Sequence, residues 1–357
     1  MNKNQTNLSS PRKSKPVRCG SVTIGEGAPI SIQSMTNTDT RDVAATLSQI
    51  HQLADAGCDI VRISVYDEAC VKAVRKLADA SPVPLVADIH FDHKLAIGAI
   101  EQGIHKLRVN PGNIGGAANI QAVAACAKAH HIPIRIGVNS GSVEKELLRK
   151  YGGPTPQALV ESALSNAMLF ESAGFGDLVI AVKASNVRDT VEANRLLAAA
   201  CEYPLHLGVT EAGLPGRGTI KSAIAIGALL LDGIGDTIRV SLSGDPCLEP
   251  GAAKEILRAL GLRCGVDIIS CPTCGRTCID VAKIAARIEA ETKDDPRPLT
   301  VAVMGCAVNG PGEAREADIG VAGGKGGCVL FRKNQPPKKI EGDPAEALLG
   351  AIRGIKF

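Results

Sequence analysis

Three cysteines, Cys271, Cys274 and Cys278, crowd the stretch SCPTCGRTCID at 270–280. Thiols at this spacing bind zinc, build an iron–sulfur cluster or cycle through a disulfide. Three thiolates do not complete a four-coordinate site, so further ligands must come from elsewhere. The next candidate stretch is MGCAVNGPGEAREADIG at 304–320, where Cys306 ends a strand-like run. The turn Asn309-Gly310-Pro311-Gly312 then leads to Glu313, and its Gly and Pro favour a tight, rigid path that holds Cys306 and Glu313 toward one point. A zinc site would use Cys271, Cys274, Cys306 and either Cys278 or Cys328, but its second pair lacks the usual close C-x-x-C spacing. A 4Fe-4S cluster would accept three thiolates and a fourth ligand of another kind. Spacing favours iron–sulfur slightly and leaves zinc open. Cys58, Cys126 and Cys201 read as buried structural thiols.

A second set of chemistry-bearing residues lies upstream. Arg62, Arg108, Arg135 and Arg239 each sit between two apolar residues in a strand-like run. A buried guanidinium is costly unless something anionic meets it. Side chains at i and i+2 share a face of a strand. This groups His90 with Asp88, Asn110 with Arg108 and Ser241 with Arg239, and Asn139 shares the face of Arg135. Lys183 and Glu211 close two further runs. An interior salt-bridge layer would pair the cations with Asp88 and Glu211. Five cations against two carboxylates leave about three positive charges, which a substrate carrying one or two phosphates would balance.

The elements that must position these groups follow a rhythm. Short β-branched runs recur at 30–36, 59–65, 84–90, 106–112, 133–139, 177–185, 204–213 and 236–244. Alanine-rich amphipathic stretches separate them, as in a parallel α/β fold. Eight such units predict a (β/α)8 TIM barrel, whose active sites sit at the C-terminal ends of the strands. No G-x-G-x-x-G follows the first strand, against an open dinucleotide-binding sheet. Residues 17–30 read as a hairpin closing the barrel bottom, and 250–261 as the eighth helix, started by Pro250. Beyond it the texture changes, and strand-like runs at 299–305, 318–324 and 328–333 alternate with helices near 278–293 and 344–353. The predicted organisation is a flexible tail at 1–16, a barrel at 17–262 and a smaller C-terminal α/β domain at 263–357 carrying the cysteines.

Composition narrows the partners. The chain has no Trp, five Phe and three Tyr, too few aromatic platforms for a single-strand nucleic-acid binder. Its net charge of +3 gives no global pull toward nucleic acid or an anionic membrane. The longest apolar run, AIAIGALLL at 223–231, is about half a membrane span. The N-terminal stretch lacks the apolar core of a secretory signal. These features predict a cytoplasmic protein whose twelve cysteines are thiols or metal ligands.

SCPTCGRTCID together with MGCAVNGPGEAREADIG resembles the 4-hydroxy-3-methylbut-2-enyl diphosphate synthases of the methylerythritol phosphate route to isoprenoids. SMTNTDT, VRIS, ADIHFD, LRVNPGN, RIGVNSGS, VKASN, TEAG and TIRVSLSGDP extend the resemblance through the barrel. It implies reductive ring opening and dehydration of 2-C-methyl-D-erythritol 2,4-cyclodiphosphate, with two electrons passing through a 4Fe-4S cluster. By motif position the cluster ligands are Cys271, Cys274, Cys306 and Glu313, and Cys278 falls in a supporting helix below the site. Arg62, Arg108, Arg135, Lys183 and Arg239 would bind the cyclic diphosphate, assisted by Asn110, Asn139 and Ser241, with Asp88 and His90 close by. Glu211 would move a proton, and Glu313 would hold the reactive corner of the cluster. The implied electron donor is flavodoxin or ferredoxin. The implied assembly is a homodimer in which the cluster domain of one chain serves the barrel of the other. The rival reading is a redox-neutral barrel transferase of the pterin-synthase kind, with a structural zinc domain.

Overall fold

The computed structural model describes residues 10–110, 114–306, 316–324 and 326–355. It separates into two compact units, Met1–Leu260 and Gly261–Phe357. No helix among the described residues is long and apolar enough to cross a membrane.

The first unit opens with a small antiparallel hairpin, β1 (Val17–Cys19) and β2 (Val22–Ile24). Eight parallel strands follow: β3 (Ser31–Met35), β4 (Ile60–Ser64), β5 (Leu85–Ile89), β6 (Lys106–Val109), β7 (Ile134–Asn139), β8 (Leu178–Lys183), β9 (His206–Leu207) and β10 (Thr237–Ile238). Their order in the sheet is β8-β7-β6-β5-β4-β3-β10-β9. A single bridge from Ile180 in β8 to Leu205, just before β9, brings the two ends of the sheet together. The eight-unit barrel read from the strand rhythm is therefore present. Each strand alternates its faces. In β5, Leu85, Ala87 and Ile89 join the large core under the helices, whereas Val86 packs inward with Val17, Cys19 and Ile24 of the hairpin. The inward face further along carries the polar residues.

Helices α1 (Val43–Asp55), α2 (Glu68–Ala80), α3 (His93–Glu101) and α4 (Ala117–His130) follow β3 to β6. A short α5 (Lys145–Tyr151) precedes α6 (Pro156–Ser172), and α7 (Val187–Ala200), α8 (Pro215–Leu231) and α9 (Leu248–Ala259) complete the ring. Helix α2 shows why these segments coil. Cys70, Ala73, Val74 and Leu77 are spaced for one helical face and are buried. Asp67 caps the first turn by accepting the Cys70 amide at 2.7 Å. Asp92 does the same for α3, so the chain leaves β5 as an exposed loop through His90 before it can coil. The last helix begins at Leu248, two residues ahead of the expected Pro250.

The second unit is a five-stranded sheet, β11 (Asp267–Ser270), β12 (Thr300–Met304), β13 (Ile319–Gly324), β14 (Gly327–Arg332) and β15 (Lys338–Ile340), in that order. The first three strands are parallel and the last two antiparallel to their neighbours. Helices α10 (Val281–Thr292) and α11 (Pro344–Arg353) pack on it around Ile284, Ile288, Val301, Val303, Leu348 and Ile352. Strand β15 is an addition to the sequence reading: its PPKK sequence hides a short edge strand behind residues that protect sheet edges.

Candidate active site

The inward faces of the barrel strands deliver a row of charges to one level. Register places Asp88, Arg108 and Arg135 side by side on β5, β6 and β7. Met35 is level with Arg62, and Asn139 with Lys183. All of these except Met35 open onto a cavity of about 150 Å³ at the C-terminal ends of the strands. Arg62, Asp88, His90, Arg108, Arg135, Asn139, Lys183, Arg239 and Ser241 all line it, joined by Gly137 and Thr210.

Asp88 is the hub. Arg108 Nη1 donates to its Oδ1 at 3.0 Å, and Arg62 Nε lies 3.8 Å from Oδ2. His90 closes the cluster, with Nε2 2.8 Å from Arg108 Nη1 and 3.4 Å from Asp88 Oδ2. Burial alone would raise the Asp88 carboxyl, but Arg62, His90 and Arg108 hold it well below the usual carboxylate range. The cations show the converse effect. Burial first, then the neighbouring guanidiniums, pushes Arg135 and Lys183 well below their ordinary values. Burial likewise pushes Arg62 down to about 10. Arg135 Nε and Nη2 and Arg108 Nε have no hydrogen-bond partner among the described residues. Gly137 makes this crowding possible, since a Cβ there would stand 2.8 Å from Arg108 Nε.

The counter-charge differs from the expected one. Arg239 is paired not with Glu211 but with Glu249, through Nε to Oε2 at 3.3 Å and Nη2 to Oε1 at 3.4 Å. Glu249 escapes a reading of the strands because it stands in the first turn of α9, ten residues from its partner. The acidic residue just beyond SGDP is the available signal. Glu211 is exposed and does not line the cavity; it occupies the loop after β9 with a left-handed φ of 53°. Asn110 is buried at the end of β6 but is not among the lining residues. Five cations thus face the carboxylates Asp88 and Glu249, and the excess of positive charge persists with one partner exchanged.

In the second unit the cysteines gather at one edge. Ser270 is level with Val303 across β11 and β12, so Cys271 and Cys306 leave the same end of neighbouring parallel strands. The Gly305 amide donates to Cys271 Sγ at 3.0 Å. Cys274 is exposed, and the Arg276 backbone and side chain, with Thr277, lower its thiol below the ordinary value. Cys278 is not in a helix. Asp280 caps α10 by accepting the Lys283 amide at 3.0 Å, so coiling starts at Val281. The Cys278 amide instead donates to the Gly305 carbonyl at 2.8 Å, stitching the cysteine loop to the end of β12. Glu313 and its Asn309–Gly312 turn lie outside the described residues. Among the described residues no three Cys, His, Asp or Glu side chains form a group ready to chelate a metal. The donor set itself is soft and sulfur-rich, with an amide aimed at one thiol, which suits an iron–sulfur cluster.

A parallel barrel with a cationic mouth, followed by a cysteine-bearing α/β unit, defines a two-domain barrel protein whose mouth carries an excess of positive charge. The chain belongs to the GcpE family: residues 14–256 match the GcpE TIM-barrel domain and residues 267–353 the GcpE protein C-terminal domain. It is 55% identical over 345 residues to the 4-hydroxy-3-methylbut-2-en-1-yl diphosphate synthase (flavodoxin) of Natranaerobius thermophilus, covering 97% of this chain and 96% of that one. The Clostridium perfringens protein of the same name is 54% identical, covering 96% of this chain and 99% of its own. Among solved structures, dihydropteroate synthase from Stenotrophomonas maltophilia aligns with a TM-score of 0.50 at 15% identity, covering 70% of this chain and 98% of that one. That likeness shows the barrel fold alone and does not favour the transferase reading.

Proposed function

We propose that the protein converts 2-C-methyl-D-erythritol 2,4-cyclodiphosphate to (E)-4-hydroxy-3-methylbut-2-enyl diphosphate, the reductive step of isoprenoid precursor synthesis to which its relatives' names point. One observation carries this reading. The barrel mouth holds five buried or half-buried cations against two carboxylates, and two of the guanidiniums keep N–H groups unpartnered among the described residues. Such a site is ready for diphosphate oxygens, which suit arginine's planar fork. In this reading Arg62, Arg108, Arg135, Lys183 and Arg239 bind the phosphates. Asn139 and Ser241 orient them, Asn110 supports β6, and Asp88 fixes Arg108 and His90. Glu211 serves proton transfer in this reading, which requires its exposed loop after β9 to turn toward the ring.

Cys271, Cys274, Cys306 and Glu313 would hold a 4Fe-4S cluster, which supplies electrons singly when bound. The Glu313 carboxylate, a harder ligand than the three thiolates, would be the most weakly held corner of that cluster. Flavodoxin fits the relatives' printed names as the donor, with ferredoxin as the other carrier of the right kind. Twelve unpaired cysteines suit the reducing cytoplasm. A homodimer, with the C-terminal unit of one protomer serving the barrel of its partner, completes this reading; the exposed Ile220 and Ile224, one turn apart on α8, support only the narrower point that the barrel has an apolar patch for a second protomer to cover.

Anaerobically purified protein should show broad visible absorption and about four irons per chain. Given a chemical reductant and the cyclodiphosphate, it should release the open-chain diphosphate. One zinc per chain, no colour and no turnover would sink the reading.

A further inference from the structure

Glu249 has no role in the reading above, yet four groups converge on its buried carboxylate. Ser34 Oγ donates to Oε2 at 2.6 Å, and Arg239 Nε reaches the same oxygen at 3.3 Å. Oε1 accepts from Arg239 Nη2 at 3.4 Å and from the Leu242 amide N–H at 3.0 Å. The acceptor positions of the carboxylate are thereby shared among β3, the guanidinium and the loop after β10. Beyond the guanidinium stands Met35. Its Sδ accepts from Arg62 Nη2 and Nε at 2.9 and 3.0 Å and lies 3.8 Å from Arg239 Nη1. The thioether is a soft, weak acceptor that stands between the two guanidiniums.

We propose that Glu249 is a positioning residue for the diphosphate site. It occupies the Nε/Nη2 edge of Arg239, while Met35 stands beside Nη1. It also holds the Leu242 amide, which fixes neighbouring Ser241 at the cavity wall. The inference rests on the reading of the barrel mouth as a phosphate site, and its test separates the two. A glutamine in this place cannot serve as acceptor for all four donors, because one of its two terminal atoms is itself a donor.

The sign of the effect discriminates. If Glu249 were only a counter-charge, removing it would leave the mouth more positive and tighten anion binding. A positioning residue gives the opposite result. Calorimetric titration of the full-length protein with the cyclodiphosphate should show Glu249→Gln weakening affinity about tenfold, the scale of a lost charge-assisted contact. In an Arg239→Lys background the same change should cost less than about twofold, since a point charge does not depend on the orientation of a fork. Tightened or unchanged affinity for Glu249→Gln would overturn the inference. So would an equal loss in both backgrounds, which marks a general structural role. If Glu249→Gln does not fold, Ser34→Ala removes one tie without removing the charge, and its loss should likewise vanish with Arg239→Lys. Arg135→Ala is the control: if it fails to weaken binding, the phosphate reading falls and the inference with it. If Arg135→Ala weakens binding and Glu249→Gln does not, only the inference falls.

Discussion

Arg135 is buried, level with another guanidinium, and keeps two N–H groups unpartnered among the described residues. That arrangement is unfavourable by itself and becomes favourable when an anion enters. Arg135→Ala should therefore weaken binding of the cyclodiphosphate by roughly 1.5–3 kcal/mol, the range for a hydrogen bond to a charged group. Calorimetry checks it, and unchanged affinity would remove Arg135 from the site. Lys106, two residues before Arg108 on β6, tests the same physics without a ligand. It is fully buried, its Nζ has no partner among the described residues, and burial pushes its amine down from 10.5 to about 8. Between those values the unfolded chain binds the proton that the folded chain releases, so stability rises with pH across that window. The burial cost is full below pH 8 and is relieved as pH climbs toward 10.5. Lys106→Met should stabilise the protein by roughly 3 kcal/mol at pH 7, because each tenfold loss of proton affinity on folding is worth about 1.4 kcal/mol. The gain should shrink steadily in urea titrations repeated up to pH 10. At this scale the sequence was most readable where a charge interrupts an apolar strand, as at Arg62 or Arg239. It was least readable where the partner stands on another element, as with Glu249 and Met35.

Among the elements, strand rhythm revealed all eight barrel strands, because buried parallel strands are dense in β-branched residues and their helices are not. Helix starts were harder, since they depend on side-chain caps rather than on periodicity. Asp280 moves the start of α10 past Cys278, and α9 begins ahead of Pro250. The strands β9 and β10 are the shortest in the barrel, two residues each, and they approach closely because Gly208 follows β9. A Cβ at Gly208 would stand 2.5 Å from the Arg239 carbonyl oxygen and 2.8 Å from Lys183 Nζ. The first contact is with backbone and yields only if the strands part. Gly208→Ala should therefore destabilise the barrel by about 1–3 kcal/mol, the usual cost of overpacking. Because both Lys183 and Arg239 are displaced, it should also weaken anion binding. A thermal midpoint and an affinity both equal to those of the parent would contradict this account.

For the whole molecule the decisive fact is that the apolar cores do not mix. Among the described residues, the large core draws only on residues up to Leu260, and the cores around Ile288 and Met304 only on residues from Val266 onward. The barrel's core and the smaller cores of the second unit are expected to differ in stability and to respond to different ligands. In iron-free protein, where there is no cluster for a substrate oxygen to reach, the cyclodiphosphate touches only the barrel mouth in our reading. At a hundredfold excess over its dissociation constant it should stabilise the barrel by about 2.7 kcal/mol. Urea unfolding followed by amide exchange should resolve two transitions, and the ligand should raise the midpoint of the one that exposes β3 to β10. The transition of the cysteine unit should stay in place when ligand is added to iron-free protein, and should lie higher in iron-loaded protein than after iron is removed by a chelator. The two treatments would then move two different transitions. A single transition shifted equally by ligand and chelator would mean that the two units unfold as one body, and the separate cores would not be separate in energy.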